Sequence, residues 1–148
     1  VRDHASALAP GKRPRLTPNP ALAIRPGKSV MPFGTPGGDN QNQANVQVLL
    51  NMELFGMTPQ EATEAPRFMT HSQPNSFSPH EAYPGKLTVE GRVDEATTDA
   101  LSGRGHDVER LPDLTWKTAG VCLVRKDLKS GIIDSGADPR RPSRAMGR

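Results

Sequence analysis

Aromatic residues and cysteine are both scarce in this 148-residue sequence. It has four Phe, one Trp and one Tyr, so any core has to be built from Leu, Val, Ile, Met and Ala. The single cysteine, Cys122, excludes an internal disulfide and a thiolate metal cluster. Because it lies in the apolar stretch AGVCLVRK, we expect Cys122 to be a buried small hydrophobe rather than a nucleophile.

Long apolar runs and a continuous basic stripe are also missing. No apolar run approaches the length that crosses a bilayer, which argues against a membrane partner. The net charge is +3, but much of the positive charge lies in GKRPR near the start and in DPRRPSRAMGR at the end. Since no basic stripe interleaves with aromatic residues, the charge does not favour nucleic-acid binding. The N-terminal residues lack the apolar segment of a signal peptide, and the bacterial cytoplasm and periplasm both remain open as compartments.

A recognisable metal or catalytic motif is absent as well. The histidines, His4, His71, His80 and His106, are scattered along the chain. In HEAYP, Pro84 stands where an H-E-x-x-H motif needs its second histidine. G-x-S-x-G does not occur either. We therefore expect neither a metal nor a cofactor.

Short strands and helices alternate along the chain. ALAIR (Ala21–Arg25) and SVMPF (Ser29–Phe33), separated by PGK, predict a hairpin. The next segment, Asn40–Phe55, predicts a helix with an apolar stripe. This stripe consists of Val46, Leu49, Leu50 and Leu54.

Two further helices carry their own start signals. In TPQEATEAPRF, Thr58 is the predicted N-cap, Pro59 occupies the first helical position and Glu61 completes a capping box. In DEATTDALSGRG, Asp94 is the predicted N-cap. KLTVEG, HDVERL (an edge strand), TAGVCLVRKD and SGIIDSGAD predict the remaining strands, whereas Met69–Gly85 predicts a loop.

This order of elements favours an α+β fold in which a sheet carries helices on one face. Its composition divides the chain into three parts. Residues 1–20 form an irregular, proline-rich segment, residues 21–138 form the folded portion, and residues 139–148 form a basic tail.

The stretch GTPGGD (Gly34–Asp39) is the most informative local signal. A glycine-rich turn between a strand and a helix gathers backbone N–H groups around one point, and the helix N-terminus adds partial positive charge. Asp39 or Asn40 could cap that helix. The stretch matches neither the Walker pattern nor G-x-G-x-x-G. An oxyanion or anion site, a nucleotide-binding module and a tight corner without a ligand therefore all stay open.

Four blocks of sequence together resemble the small subunit of the γ-glutamyltranspeptidase (γ-glutamyltransferase) family. They are GKRPRLTPNPAL, FGTPGGD, LLNMELFGMTPQEATEAPRF and GADPRR, in the order and at the spacing typical of that family. The resemblance extends from about Gly11 to Arg141.

The resemblance implies an N-terminal-nucleophile hydrolase with a four-layer αββα sandwich. This chain is then the C-terminal part of the small subunit and an incomplete sandwich without the nucleophile-bearing strands. In the family, a proenzyme cuts itself into large and small subunits, and the new N-terminal Thr attacks a γ-glutamyl amide with its own α-amino group as base. The implied partners are the large subunit, the upstream part of the small subunit and a small-molecule amide, and the isolated fragment is expected to be inactive.

The resemblance also assigns site residues. The family's Pro-Gly-Gly, whose N–H groups form the oxyanion hole, falls on Gly37 and Gly38. The paired serines that hold the glutamyl α-carboxylate fall on Leu16 and Thr17, so only Thr17 keeps a hydroxyl for substrate binding. Asp39 is a further candidate substrate-binding residue. The FGTPGGD variant is similar to the oxamate amidohydrolase-like branch, and a non-catalytic remnant of the fold is the remaining alternative.

Overall fold

The computed structural model describes residues 4, 7–13 and 16–147. Its seven strands and three helices give an α+β fold with two separate sheets. In chain order the elements are β1 (Ala21–Arg25), β2 (Ser29–Gly34), α1 (Asn40–Glu53), α2 (Pro59–Glu64), β3 (Phe68–Thr70), β4 (Lys86–Glu90), α3 (Glu95–Gly103), β5 (Asp107–Leu111), a 3-10 turn (Trp116–Thr118), β6 (Cys122–Asp127) and β7 (Ile133–Ala137).

The first sheet is antiparallel, with strand order β1-β2-β6-β7. The predicted hairpin is confirmed, and its register places Ala21 opposite Phe33 and Arg25 opposite Ser29. Helices α1 and α2 contribute to the main core together with this sheet and the residues that precede β6. The buried members of this core are Met31, Ala44, Val48, Met52, Ala62, Ala119, Val121 and Leu123.

The buried face of α1 differs from the predicted stripe. Val46, Leu50 and Leu54 are 53%, 40% and 70% exposed, and Leu49 is half-buried. The core instead receives the face that consists of Gln41, Ala44, Asn45, Val48 and Met52. The predicted stripe is not the buried one because Ala44, Val48 and Met52, spaced four residues apart, form a second helical row, and this row packs into the core.

Cys122 is exposed rather than buried. Successive side chains of a strand point to opposite faces, and in β6 the neighbouring Leu123 takes the buried position. Cys122 and Val124 therefore share the open face.

The second sheet has the order β3-β4-β5 and was not predicted as a separate unit. Strand β4 pairs antiparallel with β3 and parallel with β5, and α3 provides the crossover that a parallel pair requires. Strand β5 lies at the edge, as predicted. The predicted loop Met69–Gly85 is shorter than expected, since Met69 and Thr70 belong to β3.

The predicted helix starts of α2 and α3 are confirmed. Thr58 and Glu61 form the reciprocal capping box, with Pro59 at the first helical position. Asp94 accepts a hydrogen bond from the backbone N–H of Thr97.

Four charged side chains form a buried cluster that joins the two sheets. Arg67 precedes β3, Glu90 ends β4, and Asp138 and Arg140 follow β7; each is at most 5% exposed. The Arg67 Nη2 atom lies 2.6 Å from Asp138 Oδ2, and Arg140 binds both oxygens of Glu90 at 2.6 and 2.5 Å. Arg140 Nη1 also lies 3.0 Å from Asp138 Oδ1. Arg140, which the sequence analysis placed in the basic tail 139–148, is thus part of the interior.

Backbone groups complete the cluster. Arg140 and Arg67 both donate to the carbonyl of Thr63, at 2.7 and 2.9 Å. Arg67 also donates to the carbonyl of Thr118, whose hydroxyl donates to Glu90 at 2.7 Å. Burial alone would raise the pKa of Glu90, but the hydrogen bonds from Arg140 and Thr118 outweigh it and hold the pKa below its ordinary value of 4.5.

Replacing Gly136 with alanine should destabilise the fold, because β7 approaches α2 closely there. An added Cβ would lie 2.4 Å from the carbonyl oxygen of Pro59 and 3.0 Å from Thr63 Cγ2. We expect Gly136→Ala to lower the free energy of unfolding by about 1–3 kcal/mol, measured by urea titration. Gly103→Ala, where an added Cβ meets nothing within 4 Å, is the matched control and should be neutral or stabilising. Equal stability of the two variants would contradict the close approach.

Replacing Glu90 with glutamine should cost about 3–5 kcal/mol, because it leaves buried guanidinium charge without its partner. The control Glu109→Gln removes an exposed ion pair with Lys86 at 2.9 Å and should cost less than about 1 kcal/mol. Since the folded-state pKa of Glu90 lies below 4.5, its contribution is complete above that pH and is lost as the pH falls towards the lower value. Unfolding titrations from pH 6 to about pH 2 should therefore show a weaker acid dependence for Glu90→Gln than for the wild type. Parallel curves would contradict the assignment.

Candidate functional site

The glycine loop, residues 34–39, connects the end of β2 to the start of α1. Gly37 and Gly38 have φ angles of +145° and +58°, which residues with a side chain rarely adopt. Their carbonyls accept hydrogen bonds from the N–H groups of Asn40 and Gln41, both at 3.2 Å. These two hydrogen bonds lie at the start of the first helical turn. Within the part of the chain that the structure describes, the N–H groups of Gly37 and Gly38 donate no hydrogen bond.

The loop rests on residues 117–120. The Thr35 hydroxyl accepts a hydrogen bond from the N–H of Gly120 at 2.8 Å, and Asn40 Nδ2 donates to the carbonyl of Lys117 at 2.9 Å. A Cβ added at Gly37 would lie 3.1 Å from the Cβ of Ala119, which is fully buried. The loop therefore fits tightly against a segment whose position is fixed through Thr118 by the buried charge cluster.

A cavity of about 570 Å³ opens beside the glycine loop. One side consists of Gly37, Gly38 and the start of α1, and the other consists of the end of β3 and the following loop. The lining among the described residues is rich in side-chain amides and includes the rings of Phe77 and Tyr83, but it contains no lysine or arginine. This surface suits a small polar molecule.

Asp39 lies at the cavity, but its carboxylate has a protein partner. It accepts hydrogen bonds from the N–H of Ser76 at 2.7 Å and from the Ser76 hydroxyl. Asp39 occupies the N-cap position of α1, yet its side chain bonds to Ser76, in the loop after β3, rather than to the first helical turn. The expected N-cap position of Asp39 is thus confirmed, but its side chain makes no capping hydrogen bond and joins two loops instead.

Thr17 lies close to the first turn of α1 without reaching the cavity. Its carbonyl accepts a hydrogen bond from Gln41 Nε2 at 3.0 Å, while the residue itself is exposed. Leu16 is 70% exposed. Of the four predicted site residues, Gly37, Gly38 and Asp39 are therefore brought together, and Thr17 is not among the described lining residues of the cavity.

His71 is a cavity residue that the sequence did not single out. Its Nε2 atom lies 3.1 Å from the Thr88 hydroxyl. Burial, followed by the nearby Lys86 charge, lowers the pKa of His71, so the neutral imidazole dominates at neutral pH. The scattered histidines gave no signal for this placement, because it depends on the short strand β3.

Among residues 4, 7–13 and 16–147 there is no group of three or more His, Cys, Asp or Glu side chains that could hold a metal ion. Over the same residues, no helix combines the length and apolarity needed to cross a bilayer.

Comparison with known proteins finds relatives that match nearly the whole of this chain. The glutathione hydrolase-like YwrD proenzyme of Bacillus subtilis (strain 168) is 33% identical over 145 residues, which cover 98% of this chain and 26% of that protein. The oxamate amidohydrolase proenzyme of Klebsiella pneumoniae is 34% identical over 145 residues, with coverages of 97% and 26%. The chain thus spans about a quarter of the length of these curated relatives.

Solved structures agree with these matches. A structure of LmbA2991HD superposes with a TM-score of 0.82 at 37% identity, over 96% of this chain and 25% of that one. The Bacillus anthracis transpeptidase enzyme CapD superposes with a TM-score of 0.74 over 94% of this chain and 75% of that one; its 20% identity supports the fold alone. The sequence profile of the Gamma-glutamyltranspeptidase family matches residues 1–148, and the chain therefore belongs to the γ-glutamyltranspeptidase family, as its four sequence blocks predicted.

Proposed function

We propose that this chain is the C-terminal part of the small subunit of an N-terminal-nucleophile hydrolase that cleaves or transfers a small amide. In this proposal Gly37 and Gly38 donate N–H groups to the oxyanion. The two sheets are part of an αββα sandwich, which the upstream part of the small subunit and the large subunit complete. Autoprocessing of the proenzyme supplies an N-terminal Thr upstream of this chain.

The reaction begins when the Thr hydroxyl oxygen attacks the amide carbonyl carbon and its proton passes to the Thr α-amino group. The carbonyl oxygen then carries negative charge between the two glycine N–H groups. Collapse of this intermediate expels the amine, which takes the proton, and leaves an acyl-enzyme. Water or an acceptor amine then attacks the acyl carbon and gives a proton to the α-amino group; the ester bond breaks, and the Thr oxygen takes that proton as the product leaves. Each oxyanion donor in comparable sites contributes about 2.7–4 kcal/mol.

The observation that carries this proposal is the backbone conformation and hydrogen bonding of Gly37 and Gly38. Both hold positive φ angles at the start of α1, and neither N–H donates a hydrogen bond within the described residues. Two adjacent backbone donors at a helix N-terminus, beside a cavity and packed against Ala119, support the proposal that the donors are preorganised.

A small amide of the oxamate type fits the site better than a glutathione-type substrate. Family members that hold a glutamyl α-carboxylate use a serine pair, which falls here on Leu16 and Thr17, and both residues are exposed. The oxamate amidohydrolase proenzyme is also among the relatives of this chain, with 34% identity.

The face between β1 and α1 is where we propose that the rest of the proenzyme docks. Asn45 is only 5% exposed, and neither its Nδ2 nor its Oδ1 has a partner among the described residues. It lines a groove of about 270 Å³ with Phe33, Val46 and Leu49. A segment that covers this groove would bury the apolar surface of Phe33, Val46 and Leu49.

The proposal is tested by assaying the full-length processed protein with γ-glutamyl-p-nitroanilide, oxamate and a panel of other small amides. We expect hydrolysis of at least one amide, with oxamate or another short amide preferred. Clean autoprocessing without activity on any amide would favour a non-catalytic remnant and contradict the proposal.

Gly38→Val should reduce kcat by about 10²–10³ while the protein still folds, because the added side chain strains the backbone and displaces one oxyanion donor. Gly56→Val is the matched control. Gly56 has a φ angle of +68°, similar to the +58° of Gly38, so backbone strain is comparable, but Gly56 lies beyond the far end of α1. Equal losses of kcat in the two variants, or wild-type kcat in Gly38→Val, would remove the oxyanion role from this loop.

A further inference from the structure

The loop of residues 71–85, between β3 and β4, has a defined internal structure. Its ends are joined by hydrogen bonds from Tyr83 N to the His71 carbonyl at 2.8 Å and from His71 N to the Lys86 carbonyl at 3.1 Å. Its centre is joined by a bond from Asn75 N to the Glu81 carbonyl, also at 2.8 Å. These bonds give the loop a fixed shape.

Ser76 attaches this loop to the glycine loop. Its N–H and its hydroxyl both donate to the carboxylate of Asp39, which directly follows Gly38. An ionised acceptor makes such hydrogen bonds stronger than neutral ones. The side chain of Asp39 therefore fixes the 71–85 loop at the cavity.

Phe77, the next residue, lies against Gly38. A Cβ added at Gly38 would be 3.2 Å from the Phe77 Cε2 atom, so the ring is in close contact with the glycine backbone. The ring also lines the cavity and is 46% exposed. Among the described atoms nearest to a Cβ added at Gly37 or Gly38, those of Phe77 are the only aromatic ones.

We propose that Phe77 is a specificity-determining residue that limits the size of the group bonded to the reacting carbonyl. Asp39 is a positioning residue that acts through Ser76. This inference rests on the proposed function, since an amide carbonyl bound at Gly37 and Gly38 would have its substituents beside the Phe77 ring. The ring then favours small amides over bulky ones.

The test uses the full-length processed protein and two series of amides, one that varies the acyl group and one that varies the amine. We expect Phe77→Ala to raise the kcat/KM ratio of bulky to small substrates about tenfold or more in at least one series, and Phe77→Trp to lower it. Phe68→Ala is the matched control, because Phe68 is 48% exposed and lies outside the cavity lining. Unchanged ratios in both series, for both Phe77 variants, would overturn the inference.

The positioning role of Asp39 is tested by a double-mutant cycle. Asp39→Ala should raise the same selectivity ratio, and Asp39→Ala/Phe77→Ala should add little to Phe77→Ala alone, because both changes act through the ring. Asp39→Ala should also accelerate hydrogen exchange at the Ser76 amide, a measurement that needs no activity. Additive effects on selectivity would assign Asp39 another role. If the wild type hydrolyses no amide, the proposed function fails and this inference with it, whereas an active enzyme with unchanged selectivity overturns only the inference.

Discussion

The pairing of Arg67 and Arg140 with Glu90 and Asp138 is the interaction on which the rest of the structure depends. Four charges in the interior are tolerated only when each has partners, because an unpaired buried charge costs more than the pair contributes. The requirement fixes the ends of α2, β4 and β7 relative to one another. It also fixes Thr118, and with it the segment that supports the glycine loop.

The glycines of the loop are required by space as well as by backbone angle. A side chain at Gly37 would contact Ala119, and one at Gly38 would contact Phe77. Both residues also have φ angles that L-residues rarely adopt. The loop is thus held between the 117–120 segment and the 71–85 loop.

Features encoded by neighbouring residues were predictable from the sequence, and features that depend on distant partners were not. The β1–β2 hairpin and the capping box of α2 are local, so their residues identified them. The partner of Asp39 is Ser76, 37 residues away, and nothing near either residue indicates the pairing. The two arginines of the charge cluster appeared in recognised sequence blocks, but solvent-exposed positions are usual for arginine, so their burial was not expected.

The wrong face predicted for α1 has a physical meaning. Val46 and Leu50 are exposed on the same helix in which the buried Asn45 lacks partners for both of its polar atoms among the described residues. An exposed apolar patch alone is common on protein surfaces, but an unsatisfied buried amide costs about 1–3 kcal/mol. Both features lie at one groove, which Asn45 lines together with Phe33, Val46 and Leu49. This groove is where we propose that the rest of the proenzyme docks.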